Sequence, residues 1–146
     1  SAARVVRLFG FNPKVAFLSH STFGEPATDR TKRLSDAVEI LKKSNVDFKF
    51  DGEMQPDVAL EKMYKELYPF SEIVGNSNVL IMQSQHSAAI SYKMIKSMSR
   101  AKVIGPLLIG LGLPIEIAPL RSSTSEIINL ASIAAYSADV IKYKKN

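Results

Sequence analysis

Short apolar runs, each closed by a turn signal, constrain this chain more than any other feature. Val15–Leu18 follows Pro13, Val79–Met82 stands between Asn78 and Gln83, and Val103–Ile109 is interrupted by Gly105–Pro106. Runs of this length, bounded by such residues, read as buried β-strands. Asp47–Asp51 adds a strand in which Phe48 and Phe50 alternate with polar residues, and Leu113–Pro119, opened by Pro114, adds another. Most of them are separated by helical patterns. A strand that is apolar throughout, with helices between it and the next, belongs in a mainly parallel sheet covered on both faces. The expected class is therefore α/β, a three-layer α/β/α sandwich in one compact domain over residues 1–146.

The helices are read from periodicity and caps. Ser1–Phe9 reads as the last turns of a helix closed by Gly10, as though cut from something larger. Arg30–Lys43 places Leu34, Val38 and Leu41 on one face, with Thr28 or Asp29 as its cap. Pro56 suits the first turn of a helix running to Leu67. Ser84 or Ser87 caps a helix to about Ser99, whose Ile90, Met94, Ile95 and Met98 are expected on the core side. Ser123–Lys142 is the longest helix, with Ile127, Leu130, Ala131, Ala134, Ala135 and Ala138 in closely spaced rows that suit a symmetric helix contact.

Composition enters by exclusion. The chain has 146 residues, 46% apolar and 23% charged, which sets aside disorder and low complexity. It has no Cys and two His, so disulfides, thiolate metal sites and Cys nucleophiles are excluded. No run is long and uninterrupted enough to span a bilayer, and no signal peptide is recognisable. The expectations are no membrane association and a cytoplasmic location. The net charge of +5 lies wholly in the second half, where Lys93, Lys96, Arg100 and Lys102 cluster between Glu72 and Glu116 without an acid. Such a field attracts anions. A solvated helix face followed by a basic tail of Lys142, Lys144 and Lys145 explains the same residues. The cations are not interleaved with aromatics, so no nucleic-acid partner is expected.

In parallel sheets, ligands gather beyond the carboxyl ends of the strands. Three polar segments follow strands here: Ser19–Gly24, Gly52–Asp57 and Gln83–Ser87. The first offers hydroxyls and backbone N–H groups suited to phosphate or carboxylate, or else is a solvated turn; it lacks the GK[ST] ending of a phosphate-binding loop. In the second, Asp51 and Glu53 can serve acid–base chemistry, hold a cation, or cap the following helix. His20 and His86 each follow a strand, but a zinc site would need two carboxylates as well, and no G-x-S-x-G elbow supports a serine triad. The candidate ligand residues are Ser19, Ser21, Thr22, Gly24, Asp51, Lys93 and Arg121, with no catalytic and no metal residue assigned.

Four segments together resemble a known family. Pro13–Gly24 (PKVAFLSHSTFG), Asp51–Leu60 (DGEMQPDVAL), Asn78–Ile81 with Ile90–Lys93 (NVLI…ISYK) and Ile104–Leu108 with Gly110, Leu111 and Pro114 are similar, in order and spacing, to motifs of the phosphate acetyl/butyryltransferases. The resemblance implies an isocitrate/isopropylmalate dehydrogenase-like α/β/α fold in two subdomains, of which this chain is the second plus a C-terminal helix. It also implies dimers and a coenzyme A cleft. One segment departs. The transferases carry SRGCSxxDIVN after the last strand, and alignment on Ile127–Asn129 puts Pro119, Leu120 and Glu126 where their Ser, Arg and Asp stand. Pro and Leu supply no donor to a developing oxyanion.

With that segment altered, and with His20, Phe23 and Met54 in the motifs, the chain resembles the transferase-like C-terminal domain of large bacterial NADP-dependent malic enzymes. The resemblance implies a noncatalytic domain that binds acetyl-CoA as an allosteric signal and joins a homo-oligomer. N-terminal malic-enzyme domains would lie outside this chain and carry the NADP and divalent metal. An active phosphate acyltransferase and a purely structural dimerisation module are the alternatives.

Overall fold

A computed structural model describes residues 2–143 and divides the chain into two units, Ala2–Met94 and a second from Ile95 onward. The elements are α1 (Ala2–Leu8), β1 (Lys14–Leu18), α2 (Asp29–Lys43), β2 (Lys49–Met54), α3 (Pro56–Leu60), a 3₁₀ turn (Lys62–Lys65), β3 (Val79–Ile81), α4 (Gln85–Met98) and α5 (Thr124–Tyr143). The sheet order is β2-β1-β3, and both pairings are parallel. Its three carboxyl ends therefore share one edge, as the sequence predicts. Ala16, Leu18, Met54, Val58, Ala59, Ile73 and Val74 form the core of the first unit.

Local chemistry explains several boundaries. Gly10, at φ 81°, donates to Arg7 O at 3.0 Å, and Phe11 N donates to Val6 O at 3.1 Å. That pair of bonds is a Schellman closure of α1, for which a residue without Cβ is suited. Thr28, not Asp29, caps α2: Thr31 N donates to its hydroxyl at 3.2 Å, and Thr28 N donates to Thr31 Oγ1 at 2.8 Å. Asn78 clamps β1 to β3 by accepting from Lys14 N through Oδ1 at 2.8 Å and donating Nδ2 to Asn12 O at 2.8 Å.

Four expectations need correction. β2 runs to Met54, so Gly52 and Glu53 belong to the strand rather than to a loop. Phe17 pairs with Gly52 and Leu18 with Met54, leaving Glu53 as an extra residue on β2. A bulge of this kind re-aims a side chain next to a site. The helix expected over 56–67 stops at Leu60. Gly75 N donates to Val58 O at 2.9 Å and Ser77 N to Ala59 O at 3.2 Å, which takes the carbonyls a continuing helix would need.

The other two corrections concern apolar faces. On α4, Ile90, Met94, Ile95 and Met98 are all exposed, Met98 to 81%, so this face is not a core side among the described residues. Val103–Ile109 and Leu113–Pro119 join no β-ladder among the described residues. Among the described side chains of α5, Leu130 is buried while Ile127 and Ile128 are exposed. Lys144 and Lys145 of the expected basic tail lie outside the described residues.

Gly75 is a sensitive point of the first unit. Its φ is +67°, and a Cβ there would lie 2.6 Å from Lys62 Cα and 2.8 Å from Glu61 O. Gly75→Ala is expected to cost about 2–4 kcal/mol, from a left-handed non-glycine residue plus backbone displacement. Urea denaturation checks it, and a loss below about 0.5 kcal/mol would contradict the packing described.

Candidate functional site

The loop after β1 is built around one buried carboxylate. Thr22 N donates to Glu25 O at 2.9 Å and Glu25 N to Thr22 O at 3.2 Å, closing a turn with Phe23 at φ 50° and Gly24 at φ 97°. Positive φ at both central residues is the mirror-type hairpin turn. The cost of left-handed Phe23 is offset by aromatic packing on Tyr68 and Phe70, at centroid distances of 5.2 and 4.9 Å. So held, the turn aims Gly24 N at Glu53 Oε1, 2.6 Å away, while Phe23 N donates to Glu53 O at 2.8 Å.

Glu53 is fully buried. Ser21, also fully buried, places its hydroxyl 3.2 Å from Glu53 Oε1 and 3.0 Å from Ser19 Oγ. Ser19 N donates to Met54 O at 2.9 Å, and Gln55 N to Thr22 Oγ1 at 3.1 Å, so every residue from Ser19 to Thr22 except His20 is tied to the end of β2. Glu53 Oε2 has no hydrogen-bond partner among the described residues. The structure thus gathers Ser19, Ser21, Thr22 and Gly24 at the end of β1, with the Ser21 hydroxyl and the Gly24 amide directed at the buried Glu53 carboxyl.

The remaining candidates stand apart from this cluster. Asp51 pairs with Ala16 within the sheet, and its carboxylate accepts from Gly52 N at 2.9 Å. Lys93 on α4 and Arg121 before α5 are exposed and make none of the cluster's bonds. His20 and His86 are exposed as well. Among the described residues, no group of three or more His, Asp or Glu is placed to hold a metal, and no helix is long and apolar enough to cross a membrane.

Outward of the loop lies a groove of about 530 Å³, lined by Gly24, Ala27, Thr28, Asp29, Thr31, Lys32, Ser35, Asp36 and Glu53. Its size is that of a small-molecule site. Three acids against one Lys make it a poor seat for an anionic group. Sequence reasoning had weighed Glu53 only beside Asp51 and had passed over the groove. A usable signal was present: Glu53 precedes Met54 and follows Gly52, a bulge-prone glycine within a strand pattern.

In the second unit, Glu126 caps α5. Ser123 N donates to Glu126 Oε2 at 2.8 Å, Glu126 N donates to Ser123 Oγ at 3.3 Å, and Lys96 Nζ donates to Glu126 Oε1 at 2.7 Å. Lys96 first, then the Ser123 amide and hydroxyl, hold the carboxyl down to about 2. Leu120 is fully exposed, and the crevice between Gly105, Pro119 and Glu126 measures only about 10 Å³, no more than a water-sized space.

The model of the family described as phosphate acetyl/butaryl transferase matches residues 1–135. The chain belongs to that family. It is 47% identical over 137 residues to an NADP-dependent malic enzyme of Rhizobium meliloti (strain 1021), covering 94% of this chain and 18% of that protein. It is 33% identical over 138 residues to the phosphate acetyltransferase of Bacillus subtilis (strain 168), covering 94% of this chain and 43% of that one. Among solved structures, a phosphotransacetylase from Streptococcus pyogenes superposes with TM-score 0.87 at 32% identity, over 94% of this chain and 42% of its own. The EutD phosphotransacetylase from Staphylococcus aureus gives 0.84 at 29% identity, over 94% and 43%. The chain thus spans less than half the length of each.

Two predictions follow from the site. Glu53→Ala leaves the Gly24 amide and Ser21 hydroxyl without their buried acceptor and is expected to cost about 2–4 kcal/mol, whereas Asp51→Ala stays within about 1 kcal/mol; denaturant midpoints of the two variants check the contrast. The second concerns pH. Because the Glu126 carboxyl is lowered from 4.5 to about 2, its contribution is complete above about pH 4.5 and is lost as pH falls toward 2. Protection of the first-turn amides of α5, taken relative to the intrinsic exchange rate at each pH, is expected to fall over that window, and Glu126→Gln to abolish the acid-dependent part.

Proposed function

We propose that this chain is a noncatalytic, acetyl-CoA-sensing part of an NADP-dependent malic enzyme. The observation that carries the reading is the fate of Glu126: at the place of the family's acid, the carboxylate is committed to Lys96 and to the cap of α5. Pro119 and exposed Leu120 stand where transfer chemistry would need a hydroxyl and a guanidinium. The likeness to a malic enzyme at 47% identity supports the same assignment. Malate oxidation, with its NADP and metal, would belong to polypeptide outside these 146 residues.

The ligand is placed at the mouth of the groove, against Gly24, Thr28 and Ser35. Ser19, Ser21 and Thr22 shape the loop from within, since their polar groups are bound to Glu53, Met54 and Gln55. The acidic lining suits the uncharged acyl and amide arm of acetyl-CoA better than its phosphates. Of the two candidate cations, Lys93 belongs to the same unit as the groove and is the one the reading retains for a phosphate group.

Calorimetric titration of the full-length protein with acetyl-CoA tests the site. Ser35→Trp, which fills the groove from the surface of α2, is expected to weaken binding at least about tenfold, equivalent to 1.4 kcal/mol. Unchanged affinity would remove the groove from the reading. A coupled assay for acetyl phosphate is expected to stay at background, because loss of even one transition-state donor costs about 10²–10³ in rate. Turnover above background would favour the acyltransferase alternative.

A further inference from the structure

One oxygen of the buried Glu53 carboxylate is left over from the hydrogen bonding of the β1 loop. Glu53 is fully buried and lines the groove together with Gly24, Thr28 and Ser35. Its Oε1 accepts from Gly24 N at 2.6 Å and from the Ser21 hydroxyl at 3.2 Å, whereas Oε2 has no hydrogen-bond partner among the described residues. A buried acceptor left unmatched is costly, and more so when it belongs to an ionisable group. A donor arriving through the groove removes that cost.

The other charges of the groove indicate which donor. Asp29 and Asp36 of α2 are exposed in its lining, and neither forms an ion pair among the described residues. Lys32 is the cation set against these three acids, so the field in the groove attracts positive charge. A metal ion does not suit it, since no three His, Asp or Glu among the described residues are placed to hold one. A guanidinium is a broad planar fork, whereas Oε2 lies at a buried floor that only a compact head can reach. An ammonium is compact and carries three donors, so it can serve Oε2 and still face the hydroxyls of Thr28 and Ser35. The volume of about 530 Å³ leaves room for the carbon chain behind it. We propose that this groove takes the primary ammonium group of a small organic amine, with Glu53 Oε2 accepting from it and Asp29 and Asp36 drawing it in. The inference goes beyond the acetyl-CoA reading, and its test uses no acetyl-CoA, so either can fail without the other.

Hydrogen exchange on the full-length protein tests it, in ethylammonium chloride against tetramethylammonium chloride and sodium chloride at equal ionic strength. Ethylammonium is expected to slow exchange across Ser19–Thr31 at least about threefold, while sodium and tetramethylammonium, which has no N–H, leave it unchanged. Glu53→Gln is expected to abolish the slowing, and Asp36→Asn to raise the half-saturating ethylammonium concentration at least about twofold. No slowing by ethylammonium would overturn the proposal. Equal slowing by tetramethylammonium would overturn it as well, by assigning the effect to diffuse screening. So would an unchanged half-saturating concentration in either variant. Asp36 is exposed, so its variant and the wild-type comparison decide the question even where Glu53→Gln fails to fold.

Discussion

The first unit depends on a carboxylate that has no access to water. Burying a charged group is costly unless donors replace its hydration. At Glu53 the Gly24 amide and the Ser21 hydroxyl serve Oε1, while Oε2 has no hydrogen-bond partner among the described residues. Those donors exist only because the turn Thr22–Glu25 adopts positive φ at Phe23 and Gly24, and the turn is held in turn by aromatic packing on Tyr68 and Phe70. The β2 bulge, the β1 loop and the aromatic cluster therefore form one cooperative arrangement. The Ser21 hydroxyl and the Gly24 amide of the loop are thereby engaged within the fold.

The same logic separates this chain from the chemistry its fold suggests. A carboxylate serving as a catalytic acid or base needs a free position and a tuned affinity for protons. Glu126 has neither, because Lys96 and the Ser123 amide engage both oxygens and stabilise the charged form. In the proposed reading, an acid engaged in this way serves as part of a helix cap. With Pro119 and Leu120 beside it, the segment retains the shape of the family without donors for an oxyanion.

How much of this was legible in the sequence depended on the range of the interaction. The Gly10 closure and the Thr28 cap are set by neighbours a few residues away, and capping residues announce them, as short apolar runs announce the strands of the parallel sheet. The end of α3 is not local: Gly75 and Ser77 intercept carbonyls of Val58 and Ala59 from more than fifteen residues away, and no helix propensity encodes that. The loop Ser19–Gly24 was recognisable as a site by its residue types. Its commitment to Glu53 was not, because a bulge at Gly52 decides which way that side chain turns. The face of α4 and the strands at 103–119 were read from periodicity, which reports that a face wants burial but not whether its partner is at hand.

That distinction bears on the second unit. Of the twelve buried apolar side chains in the described structure, eleven lie between Ala3 and Val79, and only Leu130 lies beyond Met94. Residues 95–143 therefore carry strand-like and helical patterns without a core to justify them, since hydrophobic burial is the main favourable term in folding. Ile104, Leu113, Ile115, Ile117 and Leu120 are all exposed in this stretch, where few buried apolar side chains are at hand among the described residues.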